Sequence, residues 1–365
     1  MGQTMTRFSP EQLKKFAEAI LTVAGSSSHE AEIVADHLVG ANLAGHDSHG
    51  IGMLPAYVNS LTVGALFQDV KLDQVSDLGS MMVFDGHRGY GQRLAKEAMD
   101  RAIIRCRQTG LVFMGLRNAH HLGRIGSYGE QSIAAGLVSL HFVNVVDHRP
   151  LVTPFGGTAA RYSTNPICFA MPATTASAAI LLDMATSKTA LGKVRVAMNK
   201  GEKMVAGTLY DGGGKATTDP SVMFTEPFGA ITSVGEYKGY GMALFCELLA
   251  GVLTGGGTIQ PHNPKLDGII NHMATILVDP QRLVDHQWMA AEVAALVEYV
   301  KSAPAENPDR PVLVAGEPEI LMRTEREQNG IPIDLTTCEQ LVAVAQQVGI
   351  DQRKAEALLT GAEDR

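Results

Sequence analysis

The chain reads as an α/β protein in which a mixed sheet is flanked by helices and a helical unit is formed from both chain ends. Three observations predict this. Helical periodicity dominates both termini, apolar β-branched runs alternate with helix candidates through the middle, and the links among the central runs are too irregular for helical crossovers. At the start, Ser9-Pro10 announces a helix over about 9–24, and Ser27 to Glu30 has capping-box spacing ahead of a second helix over 29–44. Ile33, Val34, His37, Leu38 and Ala41 recur there at helical spacing, and Gly45 is its stop.

The middle alternates. A helix near 91–108 precedes a strand beginning Leu111-Val112-Phe113-Met114, and a helix near 124–135 precedes the strand Val138 to Val143. Ile167 to Ala170 and Ile180 to Leu182 read as further strands, with helices near 187–199 and 237–253. The link through Pro154-Phe155-Gly156-Gly157 looks irregular, so the sheet is expected to be mixed; Tyr210 to Lys215 and Gly255 to Gly257 read as turns. Helices over about 282–302, 318–328, 335–348 and 350–361 close the chain. The predicted division is a mainly helical discontinuous domain, 1–117 plus 295–365, and a sheet-containing domain, 118–294.

The chain has 365 residues, is 45% hydrophobic and 19% charged, and carries a formal charge of -8, which favours small-molecule partners over nucleic acid or an anionic membrane. Met1 to Thr22 is amphipathic, with Glu11, Lys14 and Lys15, and lacks the apolar centre of a secretory signal, so a cytoplasmic protein is expected. Gly241 to Gly255 is interrupted by Glu247 and too short to span a bilayer. Cys106, Cys168, Cys246 and Cys338 are widely spaced and read as buried thiols.

Five polar clusters could carry chemistry. His46-Asp47-Ser48-His49-Gly50 places two imidazoles, a carboxylate and a hydroxyl in one turn after a rigid helix, able either to move protons or to cap that helix. Asn118 to Gly126, containing His120, His121 and Arg124, lies between a strand and a helix, where ligand binding and a helix cap are both open readings. Asp183 ends a buried strand and needs a partner; a histidine would suit it, and so would the start of the following helix. Tyr237-Lys238 opens a helix, with Lys238 either holding an anion or solvated. Gly316-Glu317-Pro318-Glu319 reads first as an acidic, proline-started helix N-terminus. No G-x-G-x-x-G follows a first strand, and neither a P-loop nor a G-x-S-x-G is present.

These clusters, with Ser163-Thr164-Asn165-Pro166, occur in the order of the type-2 malate/L-lactate dehydrogenase family, which the chain resembles from about Phe8 to Gly349. Within it, Ala41 to Gly45, His120 to Gly126 and Gly316-Glu317 resemble the hydroxycarboxylate dehydrogenase B branch. The resemblance implies a NAD(P)-dependent oxidoreductase of non-Rossmann fold, with a mixed seven-stranded sheet forming the cofactor domain and a homodimer. It puts the catalytic histidine at His49, with Ser48 and Asp183 as relay partners and His121 as a second active-site histidine. Cofactor contacts would fall on His49, Gly123, Arg124, Ile125, Leu181, Leu182, Asp183, Met184, Ala185, Tyr237, Lys238, Asn271, Gly316, Glu317, Pro318 and Glu319. NAD is the expected cofactor and NADP the alternative.

The implied chemistry suits these residues. Hydride leaves C2 of a 2-hydroxy acid while a histidine of near-neutral pKa takes the hydroxyl proton, and Asp183 would orient that ring; no metal is required. Many members carry an arginine four residues after the catalytic histidine, where this chain has Met53. Another group must then hold the substrate carboxylate, for which Arg149 and Arg124 are the candidates, and the apolar Met53 suggests a substrate with a bulky apolar or aromatic side chain. The alternatives are a malate/lactate or ureidoglycolate-type dehydrogenase, or a metal-dependent hydrolase built on His46, His49, His120 and His121.

Overall fold

A computed structural model describes residues 5–263, 265–266 and 268–361, apart from the side chains of residues 199 and 200. A short strand, β1 (Met5–Phe8), leads into α1 (Pro10–Val23) and α2 (Ser28–Leu43). Ser9 and Gln12 cap α1 reciprocally, and Ser27 caps α2 through the Glu30 amide. The Glu30 side chain is drawn away from that cap to Arg93, 2.8 Å distant. A third helix, α3 (Leu54–Thr62), was not anticipated from the sequence, although Leu54, Tyr57, Val58 and Leu61 stand at helical spacing.

Next come β2 (Asp73–Asp77), β3 (Met81–Asp85), α4 (Gly91–Thr109), β4 (Leu111–His120), α5 (Gly126–Ala134) and β5 (Val138–Val146). They are followed by β6 (Ile167–Met171), β7 (Ile180–Met184), α6 (Leu191–Lys200) and the short strands β8 (Leu209–Tyr210), β9 (Ala216–Thr217) and β10 (Ala230–Ile231). The helix α7 (Tyr237–Cys246) runs into a π-helical turn at Glu247–Val252, and β11 (Ile270–Val278) returns to the sheet. The chain closes with α8 (His286–Lys301), α9 (Glu317–Asn329), β12 (Ile331–Asp334), α10 (Leu335–Gln347) and α11 (Gln352–Thr360).

Seven strands form one sheet in the order β2-β3-β4-β11-β5-β6-β7. Only β3 and β4 run parallel; every other pairing in it is antiparallel, so the sheet is mixed, as expected. Its central strand, β11, escaped the sequence reading because polar Asn271, His272 and Thr275 interrupt the apolar run. All three are buried, and each finds a polar partner, Thr275 for instance lying 2.9 Å from His141 Nδ1.

Three cores result. Phe16, Leu38 and Tyr57 from the start of the chain share one with Ile331, Leu341 and Leu359 from its end, and β1 pairs with β12. The sheet and the helices α4 and α5 enclose a second, containing Phe84, Leu94, Met99, Met114 and Met273. Thus β2, β3 and α4 belong to the sheet layer although they precede residue 117. The third is small and sits by the β10-β8-β9 sheet, around Val152, Leu209 and Met223.

Candidate active site

The turn at 47–50 is held from below. Arg326, buried on α9, donates to both carboxylate oxygens of Asp47, at 2.6 and 3.0 Å, and to the Asn42 carbonyl. Asn42 in turn donates to Asp47 (2.6 Å) and accepts the Ile51 amide (2.8 Å). A side chain at Gly50 would run into Asn42, its Cβ falling 2.2 Å from Asn42 Oδ1, so only glycine fits. The result is a short 3₁₀ turn that presents His49, half-buried, to the end of β4.

That strand end is bent. A register shift between Asn271 and Met273 puts a bulge where β11 faces β4, and Asn118 takes a left-handed conformation (φ 53°) with its amide donating to His272 Nδ1 at 2.9 Å. Asn271 accepts the Leu122 amide (2.8 Å), Tyr128 donates to the Leu122 carbonyl (2.6 Å), and the Arg124 amide donates to His37 Nε2 (2.9 Å). Gly123, at φ +72°, sits so close to His37 that an added Cβ would lie 2.3 Å from its ring.

The two histidines meet. His49 Nδ1 lies 3.3 Å from His121 Nε2, with ring centroids 5.3 Å apart and planes within 21°. His121 Nδ1 is 2.7 Å from the Tyr57 hydroxyl, which is 2.6 Å from Gln92 Nε2. Burial, then the charges of His46 and Arg124, pull His49 down to about 4; burial above all holds His121 well below its ordinary value. Burial raises the Tyr57 phenol, which therefore stays protonated. His120 faces away against the Tyr57 ring, fully buried, with no hydrogen-bond partner on either nitrogen among the described residues. Burial lowers it to about 3.

Asp183 is placed differently from the expected relay. Its Oδ2 accepts the Gly126 amide at 2.8 Å and stands 3.7 Å from Arg124 Nε, so it caps the N-terminus of α5 and makes no hydrogen bond to His49. Burial raises its pKa against the pull of Arg124. Arg124 is itself buried, donates to Glu130 at 2.7 Å, and keeps Nε and Nη2 without hydrogen-bond partners among the described residues. Around this corner several expected cofactor positions converge. The Leu181 amide donates to the Ala315 carbonyl (3.1 Å), seating the Gly316–Glu319 turn on β7, and Glu319 Oε1 lies 3.3 Å from His46 Nε2. Glu317 is tied to Lys301 and to the Val314 amide. Tyr237 and Lys238 open α7, whose Gly239 abuts the Thr186 carbonyl just beyond β7.

Other expected residues stand apart. Arg149 donates to the Met223 carbonyl (2.5 Å) and lies 4.2 Å over the Phe228 ring, on the side of the small sheet. Met53 packs half-buried on the helical core, one turn before Tyr57. Ser48 lies against Gly192, at the start of α6. His49 and His121 meet, but His46 turns to Glu319 and His120 to the Tyr57 ring, and among the described residues no three His, Cys, Asp or Glu converge as a metal set, which leaves the hydrolase alternative without support. The sequence reading missed Tyr57, Gln92, His37, Asn42 and Arg326. Of these Tyr57 and His37 left a trace, each a polar ring on the apolar stripe of its helix, α3 and α2.

Residues 8–342 match the family model described as malate/L-lactate dehydrogenase. Hydroxycarboxylate dehydrogenase B of Escherichia coli K12 is 42% identical over 353 residues, covering 96% of this chain and 97% of that one. L-lactate dehydrogenase of Cupriavidus necator is 41% identical over 320 residues, covering 87% and 91%. A solved malate/lactate dehydrogenase structure from E. coli superposes with a TM-score of 0.92 at 41% identity, covering 97% and 98%.

Proposed function

The chain belongs to the malate/L-lactate dehydrogenase family, and from that premise we propose that it moves a hydride between NAD(P) and a 2-hydroxy acid/2-oxo acid pair, with His49 as general acid and base. The observation that carries this is the pairing of His49 with His121 at 3.3 Å beside the corner where Gly123–Ile125, Leu181–Ala185 and Gly316–Glu319 converge. The residues there fit a dinucleotide: Arg124 has buried N–H groups without partners, as an anionic ligand requires. A bound nicotinamide supplies the hydride acceptor, and NAD is the reading for this branch.

His49 takes the substrate hydroxyl proton as C2 is oxidised and returns it in reduction. Burial keeps the ring neutral at pH 7, so in the oxidative direction it stands ready as a base. His121 orients it, in the place expected of Asp183, while Asp183 fixes Arg124 and α5. Arg124, whose charge reaches His49, is the better placed cation for the substrate carboxylate, since Arg149 is engaged with Met223 and Phe228. The reading of a bulky apolar or aromatic substrate side chain rests on Met53 standing where many members carry an arginine, while the side chain itself packs half-buried against the helical core. The two-unit division of the chain is supported by its separate helical and sheet cores. Exposed Phe245, Leu248, Val252 and Leu253 at α7 and the π-turn support a homodimer. No helix among the described residues is long and apolar enough to cross a membrane, and a cytoplasmic enzyme is the reading we adopt.

The test follows reduced-nicotinamide absorbance with NAD or NADP and lactate, malate or phenyllactate, for the wild type and H49A. Turnover lowered at least about 100-fold by H49A is the expected result. Absence of turnover in both directions, with the 2-oxo acids and NADH or NADPH also supplied, would overturn the reading.

A further inference from the structure

We propose that Tyr57 and Gln92 are positioning residues which, through His121, decide which nitrogen of His49 carries its proton. The inference rests on the dehydrogenase reading for its kinetic consequence, but its geometry stands alone. Four side chains form an unbranched line from the core to His49: Gln92 Nε2 to Tyr57 Oη at 2.6 Å, Tyr57 Oη to His121 Nδ1 at 2.7 Å, and His121 Nε2 to His49 Nδ1 at 3.3 Å. Tyr57 and Gln92 are inaccessible to solvent and His121 nearly so, so water does not compete for these bonds. Among the described residues no carboxylate hydrogen-bonds to either imidazole, and the line itself sets their tautomers.

Such a line can be polarised two ways. If Gln92 donates to Tyr57, then Tyr57 donates to His121 Nδ1, His121 Nε2–H donates to His49 Nδ1, and His49 Nε2 already bears a hydrogen. That form cannot take a proton from a hydroxyl. If Tyr57 donates to a Gln92 oxygen, every bond reverses: His121 Nδ1–H donates to Tyr57, His49 Nδ1–H donates to His121 Nε2, and the lone pair of His49 Nε2 is free. Gln92 Oε1 is buried and has no partner among the described residues, and turning the amide end for end brings it to Tyr57. The reversed polarity is the productive one.

During oxidation the substrate O–H bond breaks, its proton forms the His49 Nε2–H bond, and the electron pair left on oxygen forms the C=O bond as hydride departs from C2. The resulting positive charge is shared by the two rings, because the His49 Nδ1–H proton can pass to His121 Nε2. Throughout, His121 keeps its Nδ1–H on Tyr57 and Tyr57 keeps its proton on Gln92. A neutral chain of three groups thus does the orienting that a carboxylate does elsewhere.

The test compares Y57F, Q92L and Q92E with the wild type. Two-bond nitrogen–proton spectra of protein labelled with 15N-histidine, with signals assigned from H49Q and H121Q, read the tautomers without requiring turnover. The wild type is expected to hold the His121 proton on Nδ1 and to lose that preference in Y57F. In kinetics, Y57F and Q92L should each lower kcat about 100-fold with KM little changed, and Q92E, which keeps an acceptor oxygen, should recover most of kcat. Y57F should also move the acid limb of the kcat–pH profile to lower pH, since the pair loses an acceptor for its proton. The charges of His46 and Arg124 acting on His49, and of His37, His120 and His148 acting on His121, are common to wild type and variants, so they do not produce that displacement. A wild-type His121 protonated on Nε2, or Y57F with unchanged kcat and pH profile, would overturn the inference. A wild type that turns over no substrate counts against the dehydrogenase reading, while the tautomer spectra still decide this one.

Discussion

The His49–His121 pocket and the Asp183–Arg124 corner are both buried and polar, yet they handle charge in opposite ways. In the pocket, burial outweighs every other influence and the rings are neutral at pH 7, bonded among the described residues only to each other and to Tyr57, which is bonded in turn to Gln92. In the corner, opposed full charges are kept in place: Arg124 stands between Asp183 and Glu130, and Asp183 is satisfied by the amide at the start of α5. The difference teaches that proton transfer and anion binding have been separated in space. A carboxylate against His49 would raise its pKa and leave it protonated; placed on Arg124, the same carboxylate orients a cation and leaves the base free.

The sharpest way to break this comparison is to exchange damage between the two places. H121Q is expected to lower kcat about 100- to 1000-fold while dinucleotide affinity stays within about twofold. D183N, which keeps an acceptor for Gly126 but gives up the charge beside Arg124, should do the reverse and weaken dinucleotide binding about tenfold, roughly 1.4 kcal/mol. Steady-state kinetics paired with fluorescence titration of NADH separate the two. If D183N lowered kcat and moved the acid limb as H121Q does, Asp183 would be acting on His49 after all, and the separation would be wrong.

The second test is acid stability, where the two kinds of buried group carry opposite signs. His120 and His141, at about 3, and His272, at about 4, are held below their unfolded value near 6.5. Their neutral burial contributes in full above pH 6.5 and is lost as pH falls toward the folded values, because the unfolded chain takes protons first. Each such ring adds a slope of about 1.4 kcal/mol per pH unit. Asp183 and Glu247, raised by burial, act the other way, stabilising the fold as it is acidified. His120 is the cleanest probe, since neither nitrogen has a partner to lose. In urea unfolding at pH 7, 6 and 5, H120F should show a slope shallower than the wild type by about one histidine's share; an unchanged slope would mean His120 is not buried neutral.

How much of this was legible beforehand follows the same division. The periodic helices α1, α2, α4 and α8 to α11, most of them begun by a capping side chain or a proline, could be read within a few residues, because their signals lie within one turn of the chain. The strands β2 and β11 could not: Asp73-Gln74-Val75-Ser76-Asp77 is polar, and β11 buries Asn271 and His272 against partners more than a hundred residues away. In the site, His49, His121 and Asp183 announced themselves as polar residues at loop and strand ends. Their partners did not. That Asp183 would cap α5 and not serve His49 depends on how β7 and α5 meet, and Tyr57, Gln92 and Arg326 look locally like core or helix-surface residues.

The smallest expected effect lies at the edge of the corner, where Glu319 reaches His46 at 3.3 Å with both side chains about a quarter exposed. The hydrogen bond from His46 holds Glu319 below its ordinary 4.5, so the ionised carboxylate contributes above that pH and the contribution is lost as pH falls through the folded value. Water and salt reach this pair, which limits it to about 0.5 kcal/mol, against several for a buried ion pair. E319Q should therefore cost about that much in urea at pH 7, cost less below pH 4.5, and be nearly indistinguishable from the wild type in 1 M salt. A loss of about 2 kcal/mol that persisted in salt would place Glu319 with Asp183 as a built part of the corner and extend the fixed-charge region out to the turn that carries His49.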